Sequence, residues 1–376
     1  MAGSALRWAA FNLHLAARFG LRHSILRDAE DPGDPCGALM AAARRLGPAW
    51  DDAARQEMER AARFGATILT LEDDGYPVLL RRSPDPPPLL NVRGALLPED
   101  VLAIAVVGSR RATPQGVLAA ERIAAGLAAA GFTVVSGLAR GIDAAAHRGA
   151  LAAGGRTIAV LGSGLNRIYP AEHRAMAESI ASRGALLSEF PYGAPPLARH
   201  FPERNRVIAW MTWATVVVEA ARDSGSLITA NLALDGGRAV FAVPGPIDAP
   251  GSEGTNGILR EGAILCRSAE DVLQDLAAQV SEAARLRARR PGAAKSADGA
   301  HERGPAPRGI AAEATGPEAR RVLEALRPGR AVGIEALGTR CGLEPGPLLA
   351  ALLELELAGL VRPLPGRRFL AVACKI

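Results

Sequence analysis

Lysine is all but absent: of the 44 basic residues only Lys295 and Lys375 are lysines. A phosphate-binding P-loop needs Gly-x-x-x-x-Gly-Lys, and neither lysine stands in one. A Schiff-base lysine in the folded core is disfavoured on the same ground. Cysteine is scarce too. Cys36, Cys266, Cys341 and Cys374 form no Cys-x-x-Cys pair, so neither a zinc site nor a disulfide framework is expected. Aromatic residues make up 4%, which leaves the core to Ala, Val, Leu and Ile. No apolar run reaches the roughly 18 residues of a membrane span. The N-terminal stretch, with Arg7, Arg18 and Arg22, lacks an apolar signal core. The expectation is a soluble cytoplasmic protein with no membrane partner.

What is present fits a globular chain. Its 376 residues are 49% hydrophobic and 22% charged, enough for two or three domains with a sizeable core. The net charge of +5 is concentrated. Residues 281–310 hold seven basic side chains against three acidic ones. Any basic footprint on the folded part is therefore local.

Residues 1–65 carry apolar positions at helical spacing (Leu6, Ala9, Ala10, Leu13; Leu39, Ala42, Ala43, Leu46) around a Gly/Pro break at 31–37. They read as a small helical module. Short strands are expected at 66–70 and 89–92, with a turn at Asp74-Gly75-Tyr76-Pro77 between them. From 101 to about 243, short apolar runs alternate with helical stretches. The runs fall at 101–107, 133–135, 157–161, 185–187, 215–218 and 239–243. This alternation predicts an α/β fold: a Rossmann-like, doubly wound, mainly parallel sheet within 66–280. Residues 281–315 read as a basic flexible linker. Within 316–376, helices opened by Pro317 and centred near 333–340 and 345–358 precede a two-stranded wing around Pro365-Gly366, a winged-helix pattern.

The strand ends hold the candidate chemistry. Gly108-Ser109-Arg110-Arg111 follows the first parallel strand. Glycine lets a backbone approach a phosphate, and Ser and Arg add charge-assisted hydrogen bonds. A plain turn with surface arginines is the competing reading. Ser136-Gly137-Leu138-Ala139-Arg140-Gly141-Ile142-Asp143 follows the second strand and leads to His147. Asp143 and His147 lie i, i+4 on one helix face, and a buried hydrogen-bonded pair is favoured over a catalytic one. Gly162-Ser163-Gly164 ends the third strand with Arg167 in place of the third glycine, a weak dinucleotide signal, and the first strand lacks Gly-x-Gly-x-x-Gly altogether, which argues against NAD. Arg204-Asn205-Arg206 sits at a helix start, and Ser224, Ser226 and Thr229 follow the strand that ends at Glu219-Ala220. Several Gly, Ser and Arg loops on one sheet edge make an anion groove that would track a phosphate backbone.

In order along 76–269, these motifs, together with Ser188-Glu189, Phe201-Pro202-Glu203-Arg204-Asn205-Arg206 and Val243-Pro244-Gly245, resemble the DprA/Smf family (DNA-processing protein A). The resemblance implies a non-enzymatic, cofactor-free homodimer. That dimer would bind single-stranded DNA without sequence preference, contact the RecA recombinase and act in natural transformation by protecting incoming strands and helping to load RecA. It also implies that Gly108, Ser109, Arg110, Ser136, Gly137, Arg140, Gly141, Gly162, Ser163, Gly164, Arg204, Asn205, Arg206, Ser226 and Thr229 form the nucleic-acid-binding set. Members often carry lysine in the groove; here arginine must serve, which phosphate contact permits. The family's sterile-alpha-motif-like and winged-helix modules fit the slots 1–65 and 316–376. Glu344, Glu354 and Glu356 favour a protein contact for the long C-terminal helix, while Arg362, Arg367 and Arg368 keep a DNA role open.

Two other readings compete. The fold also resembles nucleotide phosphoribohydrolases of the lysine-decarboxylase-like group. Their catalytic loop has an acid that 223–230 lacks, so Glu219 or Glu189 would have to supply the carboxylate. A purely structural partner protein acting through the winged helix leaves the strand-end loops unexplained. For Phe201, Tyr192, Trp210 and Trp213, a place in the core or a dimer interface is favoured over base stacking.

Overall fold

The computed structural model describes residues 2–276 apart from 19, 30 and 32, and beyond them 317–326, 332–343, 348, 351, 352, 355, 361–364 and 368–371. Two compact units result, Met1–Ser296 and Ala297–Ile376. The expected linker 281–315 lies outside the described residues.

The first unit opens with helices α1 (Ala2–Ala17), α2 (Leu21–Arg27), α3 (Pro35–Arg45) and α4 (Asp51–Arg63). Proline in the first turn of α3 and the Asp34 side chain, which accepts from the Gly37 N–H at 2.8 Å, fix that helix start. These helices do not close a core of their own. Trp8, Phe11 and Leu39 belong to one buried cluster with Leu90, Val107, Val160 and Leu187. The stretch read as a separate module thus packs on the sheet and shares its interior.

That sheet is built of β1 (Ala66–Thr70), β2 (Leu89–Gly94), β3 (Ala103–Val107), β4 (Thr133–Ser136), β5 (Thr157–Val160), β6 (Ala185–Ser188), β7 (Ala214–Val217), β8 (Ala239–Ala242) and β9 (Ile264–Leu265). The spatial order is β1-β2-β6-β5-β4-β3-β7-β8-β9. Strands β3 to β9 run parallel, and β1 and β2 are antiparallel additions at one edge. Helices α5 (Val78–Arg81), α6 (Pro114–Ala129), α7 (Ile142–Ala152), α8 (Arg174–Arg183), α9 (His200–Trp210), α10 (Gly225–Asp235), α11 (Glu253–Arg260) and α12 (Ala269–Asp275) connect or cover the strands. β3 to β7 are buried along their whole length, as expected of strands covered on both faces. On one face α6, α7 and α12 enclose Ile104, Val106 and Val134. On the other, α9, α10 and the N-terminal helices enclose Ala105, Val107 and Val160.

Pairing runs outward from β3 in both directions, to β4 on one side and β7 on the other. In such sheets the strand-order reversal opens a crevice beyond the carboxyl ends. The loops after β3, β4 and β7 meet there. Trp210 and Trp213 lie in the core, each giving its indole N–H to a backbone carbonyl, of Leu232 and Val101 respectively, at 2.7 Å.

The second unit contains α13 (Pro317–Ala325), β10 (Val332–Gly333), α14 (Ile334–Cys341), β11 (Val361–Leu364) and β12 (Arg368–Ala371). Its sheet order is β10-β12-β11, and Ala319, Val322, Leu337, Leu348, Leu352 and Leu355 form its core. Arg362 and Arg368 lie on the wing strands. Glu344, Glu354, Glu356 and Arg367 lie outside the described residues.

If the N-terminal helices share the sheet's core, Phe11→Ala should cost about 3–5 kcal/mol. Denaturant unfolding followed by near-UV signals from both parts should then still show one transition for the first unit. A separate early loss of the helices with an unchanged midpoint for the sheet would disprove the shared core.

Candidate nucleic-acid interface

The loop after β3 is held by the strand beside it. Ser109 N–H donates to the Glu219 carbonyl at 2.6 Å. The Glu219 carboxylate accepts from the Thr113 hydroxyl at 2.7 Å and from the Thr113 N–H at 3.1 and 3.2 Å. This places a negative charge at the start of α6, where a helix N-terminus favours it. Gly116 leaves room for that carboxylate: a Cβ there would lie 2.2 Å from Oε2. Glu219 is therefore a clamp for the first loop.

The first loop is in turn pinned to the second. Ile142 N–H donates to the Ser109 carbonyl at 3.1 Å. The residue before it, Gly141, has φ +73°, and a Cβ on it would sit 2.2 Å from the Ser109 oxygen. Only glycine permits this turn at this spacing. Ser109 Oγ accepts from the Arg111 N–H at 3.1 Å. Gly108 packs against Ile142 and the Glu219 carbonyl.

The second loop already holds an anion of its own. The N–H groups of Gly137 and Ala139 donate to Asp143 at 3.1 and 3.4 Å. Those donors were the expected phosphate nest; the chain's own carboxylate fills it. Beneath the loop Arg204, 3% exposed, donates from Nη1 to the carbonyls of Gly137, at 2.7 Å, and Val160. Burial pushes the Asp143 carboxyl up, against the pull of Arg204. Burial also lowers the Arg204 guanidinium to about 10, with Asp143 opposing, so it stays charged at neutral pH. His147 turns to Thr157 rather than Asp143: its Nδ1 lies 2.7 Å from Thr157 Oγ1, which donates to the Val134 carbonyl. Burial lowers His147 to about 3 and keeps it neutral.

Several expected ligands of DNA are engaged elsewhere. Arg206 is buried in a ring of charges: it pairs with Asp85 at 2.9 Å and Glu189 at 2.5 Å, and Arg22 of α2 pairs with the same two carboxylates at 2.7 and 2.8 Å. It cannot reach a phosphate on the strand-end face. Arg204 is equally enclosed and shapes the face from below. Ser136 donates to the Val106 carbonyl, and Ser163 to that of Arg167. Gly162 and Gly164 are buried where a side chain would collide with the Phe201 ring or the Tyr192 carbonyl. Asn205 ties α9 to the Gly225 carbonyl at 3.2 Å. Ser226 bonds the capping Ser224 at 2.7 Å, and Thr229 is buried in α10.

What remains open is smaller and more aromatic than expected. Arg110, Arg111 and Arg140 are exposed around a cavity of about 250 Å³ that Gly137, Tyr169 and Phe201 also line. The Arg110 guanidinium lies 5.0 Å from the Phe201 ring centroid, and the Tyr169 and Phe201 rings are 5.7 Å apart. Arg140 pairs with Glu172 at 2.6 Å, both half exposed. Cations beside accessible rings suit a phosphate backbone with unstacked bases. Tyr169 was not legible as a site residue, and for Phe201 the core or a dimer interface was favoured over base stacking. Its place at the start of α9, next to Arg204, was the available signal. Among the described residues no group of His, Cys, Asp and Glu is arranged to hold a metal.

His147 gives this site a stability signature. Its folded value lies below the unfolded one of about 6.5, so the unfolded chain binds the extra proton and stability falls as pH drops below 6.5. By pH 5 the loss from this group should be about 2 kcal/mol. His147→Asn should flatten that part of the curve in denaturant titrations at several pH values; an unchanged slope would contradict a buried neutral ring.

The family model for DNA recombination-mediator protein A matches residues 67–277, and that for the DprA winged helix domain matches 305–367. Protein Smf of Escherichia coli is 46% identical over 210 residues; the match spans 56% of each chain, so little more than half of that relative's length. Protein Smf of Synechocystis is 36% identical over 330 residues, 84% of this chain and 82% of that one. The DNA processing protein A of Helicobacter pylori, solved for its single-stranded DNA binding mode, superposes with a TM-score of 0.52 at 29% identity over 57% of this chain and 96% of that one. With a mainly parallel Rossmann-like sheet, a winged-helix unit and matches of this extent, the chain belongs to the DprA/Smf family of DNA processing proteins.

Proposed function

We propose that the protein binds single-stranded DNA across the carboxyl ends of β3, β4 and β5 and acts as a recombination mediator, without catalysing a reaction. The observation that carries this reading is the exposed cluster of Arg110, Arg111 and Arg140 around the Phe201 and Tyr169 rings. Guanidinium groups neutralise phosphates regardless of sequence, and the rings offer stacking to any base. That the H. pylori relative has a single-stranded DNA binding mode supports single-stranded DNA as the ligand. In this reading the bound strand is handed to RecA during natural transformation, in the cytoplasm. Among the described residues no helix is long and apolar enough to cross a membrane, which is compatible with that location.

The phosphoribohydrolase alternative loses its carboxylates. Glu219 is committed to Thr113, and Glu189 to Arg22 and Arg206. For the homodimer, the sheet edge at β9 is the surface we favour: Ile264 and Leu265 are exposed there, 36% and 47%, and among the described residues β9 is the last strand of the sheet. Leu265→Glu should lower the solution mass toward the monomer in light scattering, and an unchanged mass would move the interface elsewhere.

Binding is tested by titrating labelled oligo(dT) and a duplex at two salt concentrations. Single strands should bind more tightly, and log K should fall with log salt by about 0.7 per phosphate neutralised. Arg110→Ala should weaken all sequences alike and lower that slope by about 0.7. Phe201→Ala should cost about 1–3 kcal/mol with the slope unchanged. Wild-type affinity in both variants would move the binding surface away from the strand ends.

A further inference from the structure

Of the three arginines around the strand-end cavity, the chain already neutralises one. Arg140 gives both Nε and Nη2 to Glu172 Oε1, each at 2.6 Å. That edge of a guanidinium is the fork that a phosphate takes. The cavity lining holds Arg110, Arg111 and Arg140 and no acidic residue. Among the described residues Glu172 is the only carboxylate paired with any of the three. Arg110 lies over the Phe201 ring instead.

Glu172 is held in place by the site itself. It is the middle residue of a short 3-10 turn, Ala171–His173. His173 donates from Nδ1 to the Leu138 carbonyl at 2.9 Å, two residues before Arg140. Tyr169, three residues before Glu172, lines the cavity. The turn is thus tied to the loop that carries Arg140, and the chain entering it supplies a ring of the binding face. The residue's own backbone N–H and the Arg140 guanidinium hold the Glu172 carboxyl below the usual carboxylate range, so it is charged at neutral pH.

We propose that Glu172 occupies the phosphate seat of Arg140, so that an incoming strand must displace this carboxylate and Glu172 sets the affinity of the face. This role rests on the strand-end face being the single-stranded DNA site. The side chains of Arg140 and Glu172 are 58% and 52% exposed, so a ligand reaches the pair from solvent. Exposed ion pairs are weak enough to exchange partners. A strand already held at Arg110 and Arg111 brings its next phosphate to Arg140 at high local concentration, which favours the exchange. Glu172 opposes binding twice: its pair with Arg140 has to break, and the freed carboxylate then repels the phosphate backbone. A carboxylate that stayed bound and only oriented Arg140 would have the opposite effect on affinity.

A double-mutant cycle on the full chain tests this, with labelled oligo(dT) at low salt and wild type, Glu172→Gln, Arg140→Ala and the double variant. Glu172→Gln should tighten binding roughly two- to fivefold. The gain should shrink as salt is raised. In the Arg140→Ala background there is no pair to break, so the same substitution should give a smaller gain; the difference is the coupling of the two side chains. An equal or larger gain without Arg140 would reduce Glu172 to bare repulsion and overturn the proposal. So would weaker or unchanged binding in Glu172→Gln. Arg110→Ala separates the two levels. If it weakens binding while Glu172→Gln brings no gain, the role of Glu172 falls and the strand-end face stands. If Arg110→Ala and Phe201→Ala both bind as the wild type does, the face falls and the role of Glu172 with it.

Discussion

Arg204 carries its charge under the second strand-end loop, where it holds the carbonyls of Gly137 and Val160 and faces the Asp143 carboxylate. A buried guanidinium is tolerable only when its donors are met and its charge is balanced. Here both conditions are met by the loops it organises. Asp143 gathers the Gly137 and Ala139 N–H groups, Gly141 turns the chain against Ser109, and Glu219 fixes Thr113. The outer surface is thereby braced from within by the chain's own contacts. Removing Arg204 would leave Asp143 buried without its cation.

Helix α9 links that surface to the rest of the molecule. Phe201 projects from its first turn to the arginine cluster, while Arg206 points into the ring with Asp85, Glu189 and Arg22. Because Arg22 comes from α2, the N-terminal helices brace the helix that carries the aromatic side of the face. Positive and negative side chains alternate around this ring, so loss of one member leaves its neighbours buried and undercompensated. One short segment, Phe201-Pro202-Glu203-Arg204-Asn205-Arg206, therefore serves both the exposed face and two buried charge networks.

The sheet was legible because its strands are short apolar runs closed by Gly or Ser, as in Val106-Val107-Gly108 and Val135-Ser136-Gly137, and the alternation with helices fixes parallel pairing. β9 was missed because two exposed residues make no periodic signal. The strand-end glycines were found, but their cause was misread. At Gly137, Gly141 and Gly162 the space is needed by Arg204, Ser109 and Phe201 rather than by a phosphate. Arg206 looked like a phosphate ligand because its partners lie far away in sequence. Asp85 stood in what reads as a turn, and nothing local announces that it meets Glu189 and Arg22. Tyr169 had no signal at all; only the folded chain brings it to Phe201.

The account's central claim is that single-stranded DNA lies on the Arg110, Phe201 and Tyr169 surface. Photocrosslinking the full chain to a halogenated-uracil oligonucleotide, followed by peptide mapping, tests it most directly. Stacked bases transfer to the ring they touch, so the account predicts adducts on Tyr169 and Phe201 that disappear under competing unlabelled oligo(dT). Competable adducts confined to the wing strands or to the 281–315 segment, with none on those two rings, would contradict it.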